Sequence, residues 1–223
     1  MHFDSFVLCA STADLREEPA AREHADAIEF RMDLADDPLA ALDEYDGELP
    51  ILATNRAVWE GGDANDDGRL DALAAAAEYD AVAAVDVELD ALDQGGAAVV
   101  EHARENGATV VVSAHDFDGT PDTEAIVETL DAASDAGDVA KLAVTATDPA
   151  DVLSLLAVTH EFTEAGERVA TMAMGEVGTF SRVVAPLYGS RLGYAPVDPE
   201  AATAPGQLDL ATMAETMATL STR

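Results

Sequence analysis

The sequence predicts a closed (β/α)₈ barrel. Eight short apolar runs recur along the 223 residues, Ala-rich helical segments lie between them, and several runs carry charged residues at every second position. The strand signals begin near Phe6, Ala27, Ile51, Ala84, Thr109, Ala140, Arg168 and Gly193. Helical character fills Arg69 to Tyr79, Ala97 to Glu105, Thr123 to Ala136, Asp151 to Glu164, Val177 to Tyr188 and Leu208 to Leu220. Thr120-Pro121 and Asp148-Pro149 read as helix starts, each an N-cap followed by proline; Gly107 and Gly137 read as helix stops. Strands alternating with helices imply a parallel sheet, and eight such units imply closure of residues 1–223 into a single barrel domain. The competing fold is an open doubly wound sheet. It needs a Gly-rich phosphate turn after the first strand, and Ser11-Thr12-Ala13-Asp14 is not one.

Composition narrows the partners. Asp and Glu total 45 against 11 Lys plus Arg, a formal net charge of -34. Such a field repels phosphate backbones and anionic membranes, so neither nucleic acid nor membrane is an expected partner. Hydrophobic content of 48% argues against disorder, and the acids are dispersed. A halophilic protein, its self-repulsion screened by a salt-rich cytosol, fits this balance; an acidic mesophilic protein is the alternative. Cys9 stands alone inside Phe6-Val7-Leu8-Cys9-Ala10 and reads as a small buried residue. The start Met1-His2-Phe3-Asp4 does not resemble a signal peptide and no stretch approaches a membrane span, so a cytoplasmic location is expected.

The polar residues inside strands carry the chemistry. In Ile28-Glu29-Phe30-Arg31-Met32-Asp33 the charges alternate with apolar residues. Asp86 shares a strand face with Glu88, and Ser113 shares one with His115, while Lys141 faces away from Ala140 and Leu142. In a barrel the apolar side must meet the helices, so the charged side points inward. A half-exposed antiparallel sheet has the same period, but helices between the strands cover it. Lys141 is the only lysine in the chain. The alternatives are a lysine snorkelling to solvent and an amine kept because only an amine can form an imine with a ketone. Desolvation and neighbouring cations, with Arg56 and Arg182 as candidates, would favour the neutral nucleophile. His115, at the end of the preceding strand, could move protons beside such an imine. The other histidines occupy the terminus or helical segments.

Taken in order, these residues resemble the type I 3-dehydroquinases over nearly the whole length. Glu29-Phe30-Arg31-Met32-Asp33 is similar to that family's Glu-x-Arg-x-Asp, and Arg56 to Gly62 to its Arg-x-x-x-Glu-Gly-Gly. Asp86-Val87-Glu88, Ser113-Ala114-His115-Asp116-Phe117, Lys141-Leu142-Ala143, Gly178 to Arg182 and Ala204-Pro205-Gly206-Gln207 complete the match. Ala114 replaces a larger polar residue, and Thr203 stands where Ser is usual. The resemblance implies dehydration of 3-dehydroquinate in the shikimate pathway. Lys141 would form the imine, His115 would act as general acid and base, and Glu60 would orient it. Glu29, Arg31 and Arg56 would meet the ring hydroxyls. Arg182, Thr203 and Gln207 would hold the carboxylate. It further implies no metal or cofactor, and a homodimer.

Other readings remain open from residues alone. A Schiff-base aldolase or transaldolase shares the inward lysine, although Gly206 after Pro205 makes a poor phosphate turn. A metal hydrolase could assemble Asp86, Glu88, His115 and Asp116, without a metal-spaced His pair. Asp63 to Gly68 imitates a calcium loop but has Ala74 at the twelfth position, so a solvated acidic loop, able to serve as a lid, is the simpler reading. A binding domain without catalysis leaves Lys141 unexplained.

Overall fold

Alternating polarity within a strand leaves one consistent arrangement here, and the computed structural model, which describes residues 1–198 and 207–221, adopts it. The strands are β1 (Val7–Thr12), β2 (Ala27–Arg31), β3 (Ile51–Thr54), β4 (Val82–Glu88), β5 (Thr109–Asp116), β6 (Val139–Thr145), β7 (Val169–Met174) and β8 (Leu192–Pro196). All are parallel, in the order β7-β6-β5-β4-β3-β2-β1-β8. The seam between β7 and β8 is bridged at its lower end. There the Arg191 amide donates to the Val169 carbonyl at 2.7 Å, and the Thr171 amide donates to Ser190 Oγ at 3.1 Å.

The two faces of the sheet differ as the alternation requires. Outward residues such as Ile28, Phe30, Val85, Val87, Val110 and Val112 join Ile126, Leu130 and Leu155 of the helices in one apolar layer. Inward residues near the strand starts, among them Val7, Cys9, Leu52, Val111, Val139 and Leu192, fill the barrel floor, with Phe3 buried against them. Removing the Phe3 ring would cost about 3–5 kcal/mol, the usual penalty for emptying a buried aromatic site. Above this floor the inward positions become polar: Ser11, Glu29, Thr54, Asp86, Glu88, Ser113 and Lys141, all buried. An apolar plug below and a charged layer above direct the chemistry to the C-terminal mouth of the barrel.

The helices are α1 (Glu18–Ala21), α2 (Pro38–Asp43), α3 (Asp66–Ala76), α4 (Gly96–Glu105), α5 (Thr123–Ala136), α6 (Pro149–Ala165), α7 (Gly175–Gly178), α8 (Ser181–Val184) and α9 (Leu210–Ser221). Asp67 and Gly68 inside α3 are non-helical, so its regular part begins at Arg69. Asp148 caps α6 through a capping box, with Pro149 in the first turn. Two expectations need correction. The helix expected at Thr120-Pro121 begins at Thr123, because Asp122 accepts the Ala125 amide at 3.0 Å while Thr120 Oγ1 donates to the Thr145 carbonyl. The continuous helix expected over Val177 to Tyr188 is α7, α8 and a 3₁₀ turn at Ala185–Tyr188. Ser181 Oγ accepts the Ala173 amide, which ties the chain back to β7 and breaks the run. Among the described residues, no helix is long and apolar enough to cross a membrane.

Candidate active site

Lys141 is 3% exposed, and its Nζ donates to Asp86 Oδ2 at 2.9 Å. In the parallel register Glu88 of β4, Ser113 of β5 and Lys141 of β6 fall in one row, and Asp86 is the next inward residue of β4 below it, in the row of Val111 and Val139. Nζ reaches across β5 to that lower carboxylate. Asp86 also accepts from Arg56 at 2.7 Å and from Ser113 Oγ at 2.6 Å. Burial raises the Asp86 pKa, but Arg56 and Lys141 overcome that and hold the carboxyl well below its usual range. Arg56 continues to Glu88 at 3.1 Å, and Glu88 takes Arg69 at 2.7 Å. Desolvation alone would lower the Arg56 pKa; Asp86 and Glu88 reverse the shift and raise it.

His115, on the inward side of β5 and further toward the mouth, places Nδ1 3.0 Å from Glu60 Oε1. Desolvation, reinforced by Arg56 and Lys141, pushes the imidazole pKa well below its ordinary value, so the ring is neutral. Burial, with Glu88 and Asp86 adding to it against Arg56, raises the Glu60 carboxyl to about 7. Phe117 stacks on the imidazole, its centroid 5.9 Å away and the planes 8° apart. Gly61 makes room for that stack. Its φ of +78° suits glycine, and a Cβ there would meet the Phe117 ring at 2.5 Å.

The remaining expected residues lie around a cavity at the mouth of the barrel. Glu29 is fixed by the hydroxyls of Ser11 and Thr54. Arg31 forms a two-pronged pair with Asp33, at 2.8 and 2.6 Å. Arg182 is buried, which lowers its guanidinium pKa to about 10, so it remains cationic at neutral pH. These three residues line the cavity together with Arg56, Glu60, His115, Lys141 and Gln207. Thr203 lies outside the described residues.

The family model for type I 3-dehydroquinase matches residues 7–223. The chain belongs to the type I 3-dehydroquinase family. It is similar to the 3-dehydroquinate dehydratase of Haloarcula marismortui, 61% identical over 218 residues, 96% of this chain and 95% of that protein. The Halobacterium salinarum 3-dehydroquinate dehydratase is 58% identical, covering 93% of this chain and 94% of its own. Among solved structures, a type I 3-dehydroquinate dehydratase from Clostridium difficile, determined with covalent modified comenic acid, superposes with a TM-score of 0.88. It is 27% identical and covers 97% of this chain and 92% of that one.

Within this type I dehydroquinase site, several neighbours were not assigned roles from sequence. Arg56 was expected against ring hydroxyls; it lines the cavity but also spends its guanidinium on Asp86, Glu88 and Ser113. Arg56 and Arg182 were offered as cationic neighbours of Lys141; both line its cavity, and the group that pairs with Nζ is Asp86. Tyr194, Met172, Met174 and Phe117 complete the wall. Tyr194 occupies an inward position of β8, so period-2 reading of Leu192-Gly193-Tyr194 could have found it. Asp86 and Glu88 are held by Arg56, Arg69 and Lys141. Among the described residues, no three His, Cys, Asp or Glu side chains converge as a metal ligand set. In the acidic loop, Asp66 Oδ1 accepts from Trp59 Nε1 at 2.9 Å, and Arg69 stacks over the Trp59 ring.

Proposed function

We propose that this chain dehydrates 3-dehydroquinate to 3-dehydroshikimate through an imine on Lys141, as a step of the shikimate pathway. The observation that supports this reading best is the one buried lysine, on the wall of a cavity it shares with a neutral imidazole and a buried guanidinium. Arg182, with Gln207 and Thr203, anchors the substrate carboxylate, since a guanidinium grips a carboxylate by two parallel hydrogen bonds. Glu29, Arg31 and Arg56 orient the ring hydroxyls. The Lys141 amine, once neutral, adds to the ketone carbon; the carbinolamine loses water to give the iminium.

The iminium withdraws electrons from the adjacent carbon. His115, neutral and oriented by Glu60, removes a proton there and leaves an enamine. The imidazolium then protonates the departing hydroxyl, which leaves as water. Hydrolysis of the conjugated iminium frees the enone and regenerates the amine, so the balance is loss of one water from the substrate. Only side chains take part, and the scheme calls on no metal or cofactor. Residues 1–223 act as one catalytic barrel, a homodimer in a salt-rich cytoplasm. Turnover of 3-dehydroquinate, followed by the ultraviolet absorbance of the enone and repeated with excess chelator, tests this. Chelator-insensitive turnover is expected. No enone, or loss of rate on chelation, would contradict the reading.

A further inference from the structure

Lys141 has a second close neighbour that the reaction scheme does not use. Asp86 approaches Nζ from β4, two strands away on one side of β6. Tyr194 approaches from β8, two strands away on the other side across the β7–β8 seam. The nitrogen lies 4.6 Å from the centroid of the Tyr194 ring and 2.9 Å from Asp86 Oδ2. That separation is within cation–π range, and the pair is desolvated: Tyr194 is 5% exposed and Lys141 3%.

The ring, not the hydroxyl, makes this contact. Tyr194 Oη is buried and meets no hydrogen-bond partner among the described residues. The phenol also stays neutral, because burial and then the charges of Glu29 and Asp86 raise its pKa well above the ordinary value. A neutral aromatic face beside a nitrogen that is positive both as ammonium and as iminium interacts favourably with each.

We propose that Tyr194 is a positioning residue for Lys141, its ring and the Asp86 carboxylate clamping the nitrogen from two sides while the cavity side stays open to a carbonyl carbon. The proposal rests on Lys141 being the imine-forming residue. The clamp fixes the direction of attack and supports the charge of the covalent intermediate. It also keeps bulk water from the underside of the iminium.

The test uses the whole chain and exploits its single lysine. With ¹³C-lysine labelling, the Lys141 Hε signal of the ligand-free protein should be displaced upfield by the Tyr194 ring current. The displacement should persist in Tyr194→Phe and vanish in Tyr194→Met and Tyr194→Leu; Met keeps more of the packing volume. Borohydride trapping with substrate should stay within about twofold in Tyr194→Phe and fall about tenfold or more in the ringless variants, because a nucleophile misplaced by about 1 Å loses up to about 10²-fold. KM should change less than the trapping. Ringless variants that trap at the wild-type level, or a Tyr194→Phe variant as impaired as Tyr194→Leu, would overturn the clamp. Absence of a wild-type adduct would strike the imine instead, and the resonance, which needs no substrate, still decides the clamp. A wild-type Hε signal at the free-lysine position overturns it.

Discussion

Glu60 Oε1 lies 3.0 Å from His115 Nδ1, and the two groups are 55 residues apart in sequence. The contact couples the state of the base to the proton on a carboxyl. Burial raises Glu60 to about 7. Below that pH its carboxyl proton is donated to Nδ1, which forces the tautomer with hydrogen on Nε2 and leaves no lone pair facing substrate. Above it, Nδ1–H donates to the carboxylate and Nε2 is free to accept. The kcat/KM should therefore rise with pH to a plateau, with an apparent midpoint near 7 that belongs to the pair. In Glu60→Gln this limb should disappear at a lower plateau; a pH–rate profile checks it. The stability sign is opposite. With the folded value raised from 4.5 to about 7, the stabilisation from Glu60 is complete below 4.5 and lost as pH rises through 7.

His115→Ala should still form the imine slowly, because Lys141 keeps its contact with Asp86. Proton removal should stall, with kcat lower by about 10²–10⁴, the usual contribution of a positioned acid–base group. Single-turnover trapping measured alongside steady-state turnover separates the two steps. Unchanged turnover would point to another base.

Arg56→Ala should unfold more easily before any binding defect is read. Its guanidinium pairs with Asp86 and Glu88, all three side chains at most 5% exposed. Removing one member of such a network leaves buried carboxylates short of a partner, at a cost of about 3–5 kcal/mol. Urea unfolding at fixed salt measures this. A change under about 1 kcal/mol would mean that Lys141 and Arg69 compensate, since surface pairs contribute only that much.

The net charge of -34 predicts that the chain gains stability in molar salt. The screening length falls from about 10 Å at 0.1 M to about 3 Å at 1 M, which suppresses repulsion among dispersed carboxylates. Thermal unfolding across that range should show a rising midpoint. A midpoint as high in dilute buffer would contradict the reading of this composition.

The strands were legible because inward charge alternates with outward Ile, Phe and Val, and a barrel is the closed sheet that reconciles both faces. Lys141 and His115 were legible for the same reason, as polar residues on apolar strands. The carboxylate held by Lys141 was not. Pairing of Asp86 with Nζ depends on register across β4, β5 and β6, and one strand does not encode its neighbour's offset. Arg56 looked like a substrate ligand because its motif carries that role; its second duty toward Glu88 arises from the layer it shares. The break between α7 and α8 was hidden because Ser181 satisfies the amide of Ala173 in β7, a tertiary contact that helical periodicity does not encode. At Thr120, a proline suggested a cap that Asp122 supplies instead.

The central claim is that the buried amine of Lys141 becomes covalently attached to the substrate. Borohydride reduction in the presence of 3-dehydroquinate, followed by intact-mass and peptide analysis, tests it most directly. One reduced ligand per chain, located on Lys141 and absent from Lys141→Ala, is the predicted result. A chain that turns over substrate yet stays unmodified, or carries the adduct elsewhere, would contradict it.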